Sequence, residues 1–224
     1  MSKTWFVTGT DTGVGKTAVS CGLLAAAAAA GLRTAAIKPV AAGCDENGQN
    51  EDALSLQAAM TEVLDYSQVN PVALQAAIAP HLAAALEGKR VQANRLAGLC
   101  RGVMLGGADF VLIEGAGGWR VPISGRETLA DLAIELRVGV IMVVGMRLGC
   151  INHALLTAEA IRRDGLPLAA WVANQPGPRM DRHEENLDTL RQLLPAPFLG
   201  DIPNLPHWRA SDIAGYLELA VLLN

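Results

Sequence analysis

The chain of 224 residues is short of aromatic side chains, with four Trp, three Phe and two Tyr, 4% of the total. A core with so few rings must be closed by aliphatic and small residues, and Ala and Gly are abundant. That favours helices lying close on a sheet over an all-β sandwich. Cysteine is scarce too. Cys21, Cys44, Cys100 and Cys150 show no C-x-x-C spacing, which excludes the usual zinc and redox-pair patterns and predicts a reduced, cytoplasmic chain. Cys21 and Cys100 are expected to pack as small apolar groups. The four His have no ligand spacing and read as surface or packing residues. Lys and Arg never cluster, and the net charge is −4, so the basic face of a nucleic-acid binder is missing. No stretch approaches the roughly 18 unbroken apolar residues of a membrane span. The opening MSKTWFVTGTD has too short an apolar part to be a secretory leader. Neither nucleic acid nor membrane is expected as a partner.

Hydrophobic residues make up 51% of the chain, enough for a substantial core. Short apolar runs alternate with longer helical patterns. Strands are expected at 5–8, 35–38, 110–113, 139–144, 168–172 and 198–202. Helices are expected at 16–30, 52–60, 74–88, 91–106, 151–164, 180–194 and 211–223, with a Gly/Asn/Asp-rich loop at 41–51. The alanine run 25–30 reads as the far end of the first helix, stopped by Gly31. Continuously apolar strands separated by helices predict an α/β fold, a doubly wound and mostly parallel sheet with helices on both faces. There is no internal repeat and no linker-like segment, so residues 1–224 are expected to form one domain. In such sheets ligands sit beyond the carboxyl ends of the strands, and the polar residues following each strand become the candidates.

The first strand runs into Gly9-Thr-Asp-Thr-Gly-Val-Gly-Lys-Thr17. Strand, Gly-rich turn and helix at Gly15-Lys16-Thr17 are the context of a phosphate-binding loop. Backbone N–H groups and the positive helix end face an anion, Lys16 supplies a cation and Thr17 a hydroxyl for Mg²⁺. The spacing is unusual, because Gly9 and Gly15 enclose five residues where the general loop has four. Glu114 ends an apolar strand and is followed by Gly115, Ala116 and Gly117, placing a carboxylate beside the phosphates with a backbone that allows close approach. Lys38 ends the second strand and is a candidate second cation at the same edge. Two roles are open to Asp52, capping its helix or serving as a second carboxylate for the metal. Gly149, Cys150, Ile151 and Asn152 are expected to start a helix, another anion-binding end. Asn174 follows a strand in Asn174-Gln-Pro-Gly177, without the Asp of a guanine-reading N-K-x-D, which disfavours GTP and leaves ATP.

Taken together, FVTGTDT (6–12), VGKT (14–17), KPV (38–40), DAL (52–54), VLIEGAGGW (111–119), LGCINH (148–153), WVAN (171–174) and PAPFLG (195–200) resemble the dethiobiotin synthetase family, in order and across nearly the whole chain. The five-residue loop spacing is that family's own form. The resemblance implies a P-loop NTPase-like fold and a ligase that uses ATP to join CO₂ to 7,8-diaminononanoate and close a ureido ring. It implies that Thr12, Gly13, Val14, Gly15, Lys16, Thr17 and Ala18 cradle phosphate. Thr17, Asp52 and Glu114 would hold Mg²⁺, with Gly115, Ala116 and Gly117 close to the nucleotide. Lys16 and Lys38 would be the catalytic cations, and Asn174, with Gln175 beside it, would face adenine. A homodimer is implied, with Gly149, Cys150, Ile151 and Asn152 of a second subunit meeting the substrate carboxylate. The chain departs from the family at Ala42, where Ser or Thr is common, and at Asn186, where a Tyr can close over the carboxylate. It departs also at Gly13, in place of an acid, and at Arg147, in place of Lys.

Two other classes share parts of this pattern. A ParA/MinD-like ATPase switch would need a basic face or an amphipathic C-terminal helix, and residues 215–224 contain no Lys or Arg. A cobyrinate-type amide synthase would need an attached glutaminase domain, for which the chain is too short.

Overall fold

The architecture is that of a computed structural model, which describes residues 2–223. In chain order the elements are β1 (Lys3–Gly9), α1 (Lys16–Ala29), β2 (Thr34–Ile37), β3 (Val40–Ala42), α2 (Glu51–Ala59), α3 (Tyr66–Val69), β4 (Val72–Leu74), α4 (Pro80–Leu86) and α5 (Ala93–Met104). There follow β5 (Phe110–Gly118), α6 (Leu129–Leu136), β6 (Gly139–Gly145), α7 (Cys150–Arg163), β7 (Leu168–Asn174), α8 (His183–Leu193), β8 (Phe198–Ile202), α9 (Ala210–Ala214) and α10 (Ala220–Leu223). Six strands form one sheet in the order β2-β5-β1-β6-β7-β8, and β3 and β4 form a small second sheet. Every strand pair is parallel.

The sheet is parallel because its strands can be covered on both sides. Phe110 to Ile113, Val140 to Val144 and Ala170 to Ala173 are fully or almost fully buried, which is why they read as apolar runs without alternation. The chain moves one way from β1 to β2 and the opposite way from β5 through β8. With right-handed crossovers, these opposite directions put α1 on one face and α6, α7 and α8 on the other. That is the doubly wound α/β fold expected from the sequence.

Helix α1 is covered on two sides, by α2 and by α9, and this explains its nearly uniform small and apolar composition. Gly22 is the point of closest approach. A Cβ there would stand 2.3 Å from Cγ2 of Ile213 on α9. Ile213 is itself 1% exposed, so it has little room to yield.

Several elements differ from the sequence expectation. Helix α6 was not expected, although its start carries a capping box, with the Thr128 backbone N–H donating to Asp131 at 2.6 Å. The supposed loop 41–51 begins inside β3, and the supposed helix 74–88 begins as the last residue of β4 and becomes helical only at Pro80. Three-residue strands are too short to display a period. The supposed C-terminal helix is two short helices, α9 and α10, separated by residues 215–219; the Glu218 N–H donates instead to Leu199 O at 2.8 Å. The N-cap of α2 is Asn50, whose side chain accepts from the Ala53 N–H, so Asp52 does not cap this helix.

Gly22→Ala sets a helix-propensity gain of up to about 1 kcal/mol against an overpacking cost of about 1–3 kcal/mol. The short distance to a buried β-branched side chain decides for the cost. A net loss of about 1 kcal/mol is expected in urea unfolding, and a variant as stable as the parent would show that α9 can shift without penalty.

Candidate active site

Strand register brings the charged groups together. Ile37 on β2 pairs with Ile113 on β5, and Val7 on β1 pairs with Glu114. Lys38 and Glu114 therefore emerge side by side at the carboxyl edge of the sheet, next to where β1 feeds the glycine-rich loop. The Lys38 ammonium lies 2.7 Å from Glu114 Oε1 and 2.5 Å from Asp52 Oδ2. Thr17 Oγ1 donates to the same Glu114 oxygen at 2.9 Å. Glu114 is 0% exposed, yet its Oε2 has no hydrogen-bond partner among the described residues. A buried acceptor left unpaired is costly.

A polar network holds these groups in place. The Lys38 N–H donates to Val69 O, and its carbonyl accepts from Asn70 Nδ2, both at 2.7 Å. Asn70 Oδ1 accepts from the Tyr66 hydroxyl at 3.1 Å, and that hydroxyl oxygen accepts from the Asn50 N–H at 2.7 Å. Asn50 starts the helix that carries Asp52. Tyr66, Asn70 and Asn50 thus fix the backbone of both Lys38 and Asp52, and sequence reading passed over all three. For Tyr66 and Asn70 the signal was the polar D-Y-x-x-V-N run at 65–70, where Asp65 and Gln68 form the capping box of the four-residue α3.

The loop between β1 and α1 explains its own spacing. The Thr10 N–H donates to Val143 O at 2.9 Å, and its hydroxyl accepts from the Gly145 N–H at 3.3 Å. Thr10 therefore prolongs the β1–β6 ladder by a residue before the turn begins. Val14, 1% exposed, plugs the loop onto the sheet; a Cβ on Gly9 or on Gly145 would approach it to 2.7 Å. Gly15 has φ of 87°, and a Cβ there would meet Asn174 Nδ2 at 2.2 Å, so both conformation and space demand glycine.

Lys16 and Lys38 line one cleft of about 860 Å³, with Thr12, Gly13, Gly15, Thr17, Ala18, Asp52, Ala116 and Gly117. Burial pushes the Lys16 pKa down, helped by the Lys38 charge and opposed by Glu114. A buried ammonium in that state calls for an anion. Burial also works against the Lys38 charge, but Glu114 and Asp52 outweigh it and raise its pKa. For Asp52 burial acts upward, and the Lys38 ammonium, by its charge and its hydrogen bond, prevails and holds it below the usual range.

A family profile described as an AAA domain matches residues 3–211. An ATP-dependent dethiobiotin synthetase BioD of Cellvibrio japonicus is 57% identical over 99% of this chain and 98% of its own length. Proteins of the same name from Marinobacter nauticus and Pseudomonas aeruginosa are 54% and 55% identical, over 96% and 97% of this chain and 94% and 97% of their own lengths. The chain belongs to the dethiobiotin synthetase family. The fold itself is wider. The MinC:MinD cell division complex of Aquifex aeolicus aligns with TM-score 0.56 at 14% identity, over 92% of this chain and 82% of that one. A ParA family ATPase of Chlorobium tepidum aligns with TM-score 0.53 at 10% identity, over 98% and 92%.

Of the residues that the dethiobiotin synthetase motifs single out, Lys16, Thr17, Lys38, Asp52 and Glu114 converge. Val14 and Gly115 face inward, Gly115 against the Phe6 ring. Asn174 lies beneath the loop, donating from Nδ2 to Val14 O at 2.8 Å, while Gln175 Nε2 contacts Asp201 Oδ1 at 3.4 Å. Gly149, Cys150, Ile151 and Asn152 open α7 and do not line this cleft; Cys150 is buried and the preceding Leu148 is 93% exposed. Of the four departures, Ala42 lines the cleft, Arg147 pairs with Asp11, Asn186 binds the Arg182 carbonyl at 2.8 Å, and Gly13 has φ of 70°, which suits glycine.

The shifts fix the pH behaviour. The Asp52 carboxyl is held below its ordinary 3.8, so its contribution to stability is complete above that value and is lost as pH falls through the lowered one. The Lys38 contribution is complete below 10.5 and is lost as pH rises through its raised value. The stability gap between the parent and Asp52→Asn is therefore expected to stay constant from about pH 5 to pH 9 and to close below about pH 4. Urea titrations across that range check it, and a gap already closing at pH 6 would contradict the pairing.

Proposed function

We propose that this chain is an ATP-dependent dethiobiotin synthetase that converts 7,8-diaminononanoate, CO₂ and ATP into dethiobiotin, ADP and phosphate. The observation that carries this reading is the convergence of two buried ammonium groups and Asp52 in one cleft, with Glu114 buried 2.7 Å from the Lys38 ammonium; the further lining pairs apolar Ala42, Ile78, Pro80 and Val121 with polar Asn50, Glu51 and Ser55. The charged end suits a polyphosphate, and the apolar part suits a short aliphatic diamine.

One amine adds to CO₂ and loses a proton, giving a carbamate. The carbamate oxygen attacks the γ-phosphorus, and ADP leaves. The second amine attacks the carbamoyl carbon of the mixed anhydride, expels phosphate and loses its proton, closing the ring. Lys16 holds the β and γ phosphates from the helix end, and Lys38 steadies the anionic carbamate against the γ-phosphate, so that charge gathering at the reacting atoms meets fixed cations. Backbone N–H groups of the loop complete the phosphate cradle.

The donor set fits Mg²⁺. The Thr17 hydroxyl and the Asp52 and Glu114 carboxylates are hard oxygen donors, and the unpartnered Glu114 Oε2 is an acceptor in need of a cation. When bound there, Mg²⁺ would neutralise part of the polyphosphate charge. A second copy of the chain would supply Gly149, Cys150, Ile151 and Asn152 to the substrate carboxylate, making the working unit a homodimer. Asn174 and Gln175 would stand on the adenine side, within a single cytoplasmic domain.

The test is phosphate release from ATP with Mg²⁺ and bicarbonate. Release that requires the diamine and yields dethiobiotin is expected, and release stimulated by DNA or lipid vesicles instead would overturn the reading in favour of a switch ATPase. Lys38→Met should cut turnover by about 100-fold or more while leaving ATP affinity within about threefold. It also strands two carboxylates, with an expected loss of about 3 kcal/mol in stability. Millimolar Mg²⁺ should return part of that loss in the variant and change the parent little. An absence of any Mg²⁺ effect on the variant would argue against the metal assignment.

A further inference from the structure

Trp208 is the one aromatic side chain lining the cleft among the described residues, and no step of the reaction above uses it. It is half-buried, and its indole N–H donates to no protein group among the described residues. It precedes Arg209, the N-cap of α9, whose N–H and guanidinium both bind Asp212. Helix α9 in turn packs along α1, with Ile213 seated against Gly22. The indole is thereby carried, by a short helix fixed on α1, to the end of α1 where Thr17 and Ala18 face the same cleft.

We propose that Trp208 is the stacking wall for the base of the bound nucleotide and that this chain takes much of its affinity for a purine ring from that indole. The proposal rests on the ATP reading given above and adds to it the group that holds the base. A triphosphate anchored at Lys16 and Thr17 extends its nucleoside away from the reacting end. The reacting end is marked by Lys38 and Glu114, and the apolar lining from Ala42, Ile78 and Val121 belongs with the aliphatic diamine. The flank of α1 is left for the nucleoside, and Trp208 offers there a flat π face, which stacks on any base and suits a purine best by area.

The test compares two ligands that differ only beyond the phosphates. Affinities for ATP and for inorganic tripolyphosphate are measured by calorimetry on the parent and on Trp208→Phe, Trp208→Leu and Trp208→Ala. Leu keeps apolar bulk without a π face, and Phe keeps the face. The expected result is about a tenfold or greater loss of ATP affinity in the Leu and Ala variants. Phe should stay within about threefold, tripolyphosphate affinity should be unchanged in all, and kcat at saturating ATP should be unchanged with a raised KM for ATP. A parallel loss for both ligands would make Trp208 a structural residue and overturn the proposal, as would no loss for either. A parent that binds tripolyphosphate but not ATP would sink the nucleotide reading itself, a result separate from an unchanged Trp208→Leu variant.

Discussion

The site is organised around the Lys38 ammonium, shared between a fully buried glutamate and a half-exposed aspartate. Burying such a triplet is poor value as a stabilising device, since desolvation consumes much of the Coulomb gain. Its arrangement makes better sense as preorganisation. Two lysines and two carboxylates cancel in charge, so the protein can keep them close together at modest cost. An incoming polyphosphate upsets that balance. The two ammonium groups are already partly committed to the carboxylates, and a divalent cation is what restores neutrality among three sets of oxygens. The unpartnered Glu114 Oε2 and the lowered Lys16 pKa are two places where the described residues leave charge or polarity unanswered.

That arrangement depends on elements far apart in the chain. Strand register sets Lys38 beside Glu114, but Asp52 arrives only because Asn50 caps α2 and is tied through Tyr66 and Asn70 to the Lys38 backbone. The aligned MinD and ParA structures share the sheet at 10–14% identity, which establishes fold and nothing finer. What sets this cleft apart from a bare phosphate loop is local: a second cation, a second carboxylate, and an apolar lining.

The central strands were legible because they carry continuously apolar runs, and Lys38 and Glu114 were legible because each follows such a run. Lys38 does stand just past the end of β2, whereas β5 continues four residues beyond Glu114, to Gly118. The parts that escaped have no period to read. The strands of the small sheet are three residues each, and α3 has four. Helix α6 did carry a signal, the Thr128-x-x-Asp131 box, but the glycine- and proline-containing stretch before it obscured the start. The final helix failed for another reason. Its composition is helical throughout, yet the Glu218 N–H is taken by Leu199 O on β8, a tertiary contact that overrides propensity. Of the two roles open to Asp52, Asn50 two residues earlier removes one by taking the cap.

The long spacing of the phosphate loop follows from the same logic of strand ends. In the general loop the first glycine turns the chain at once. Here Thr10 occupies the next position and continues hydrogen bonding to β6 through both backbone and hydroxyl, so the turn starts one residue later and higher above the sheet. Val14 then pins the far side of the loop between Gly9 and Gly145. Thr12 and Gly13 are the loop residues that line the cleft ahead of Gly15.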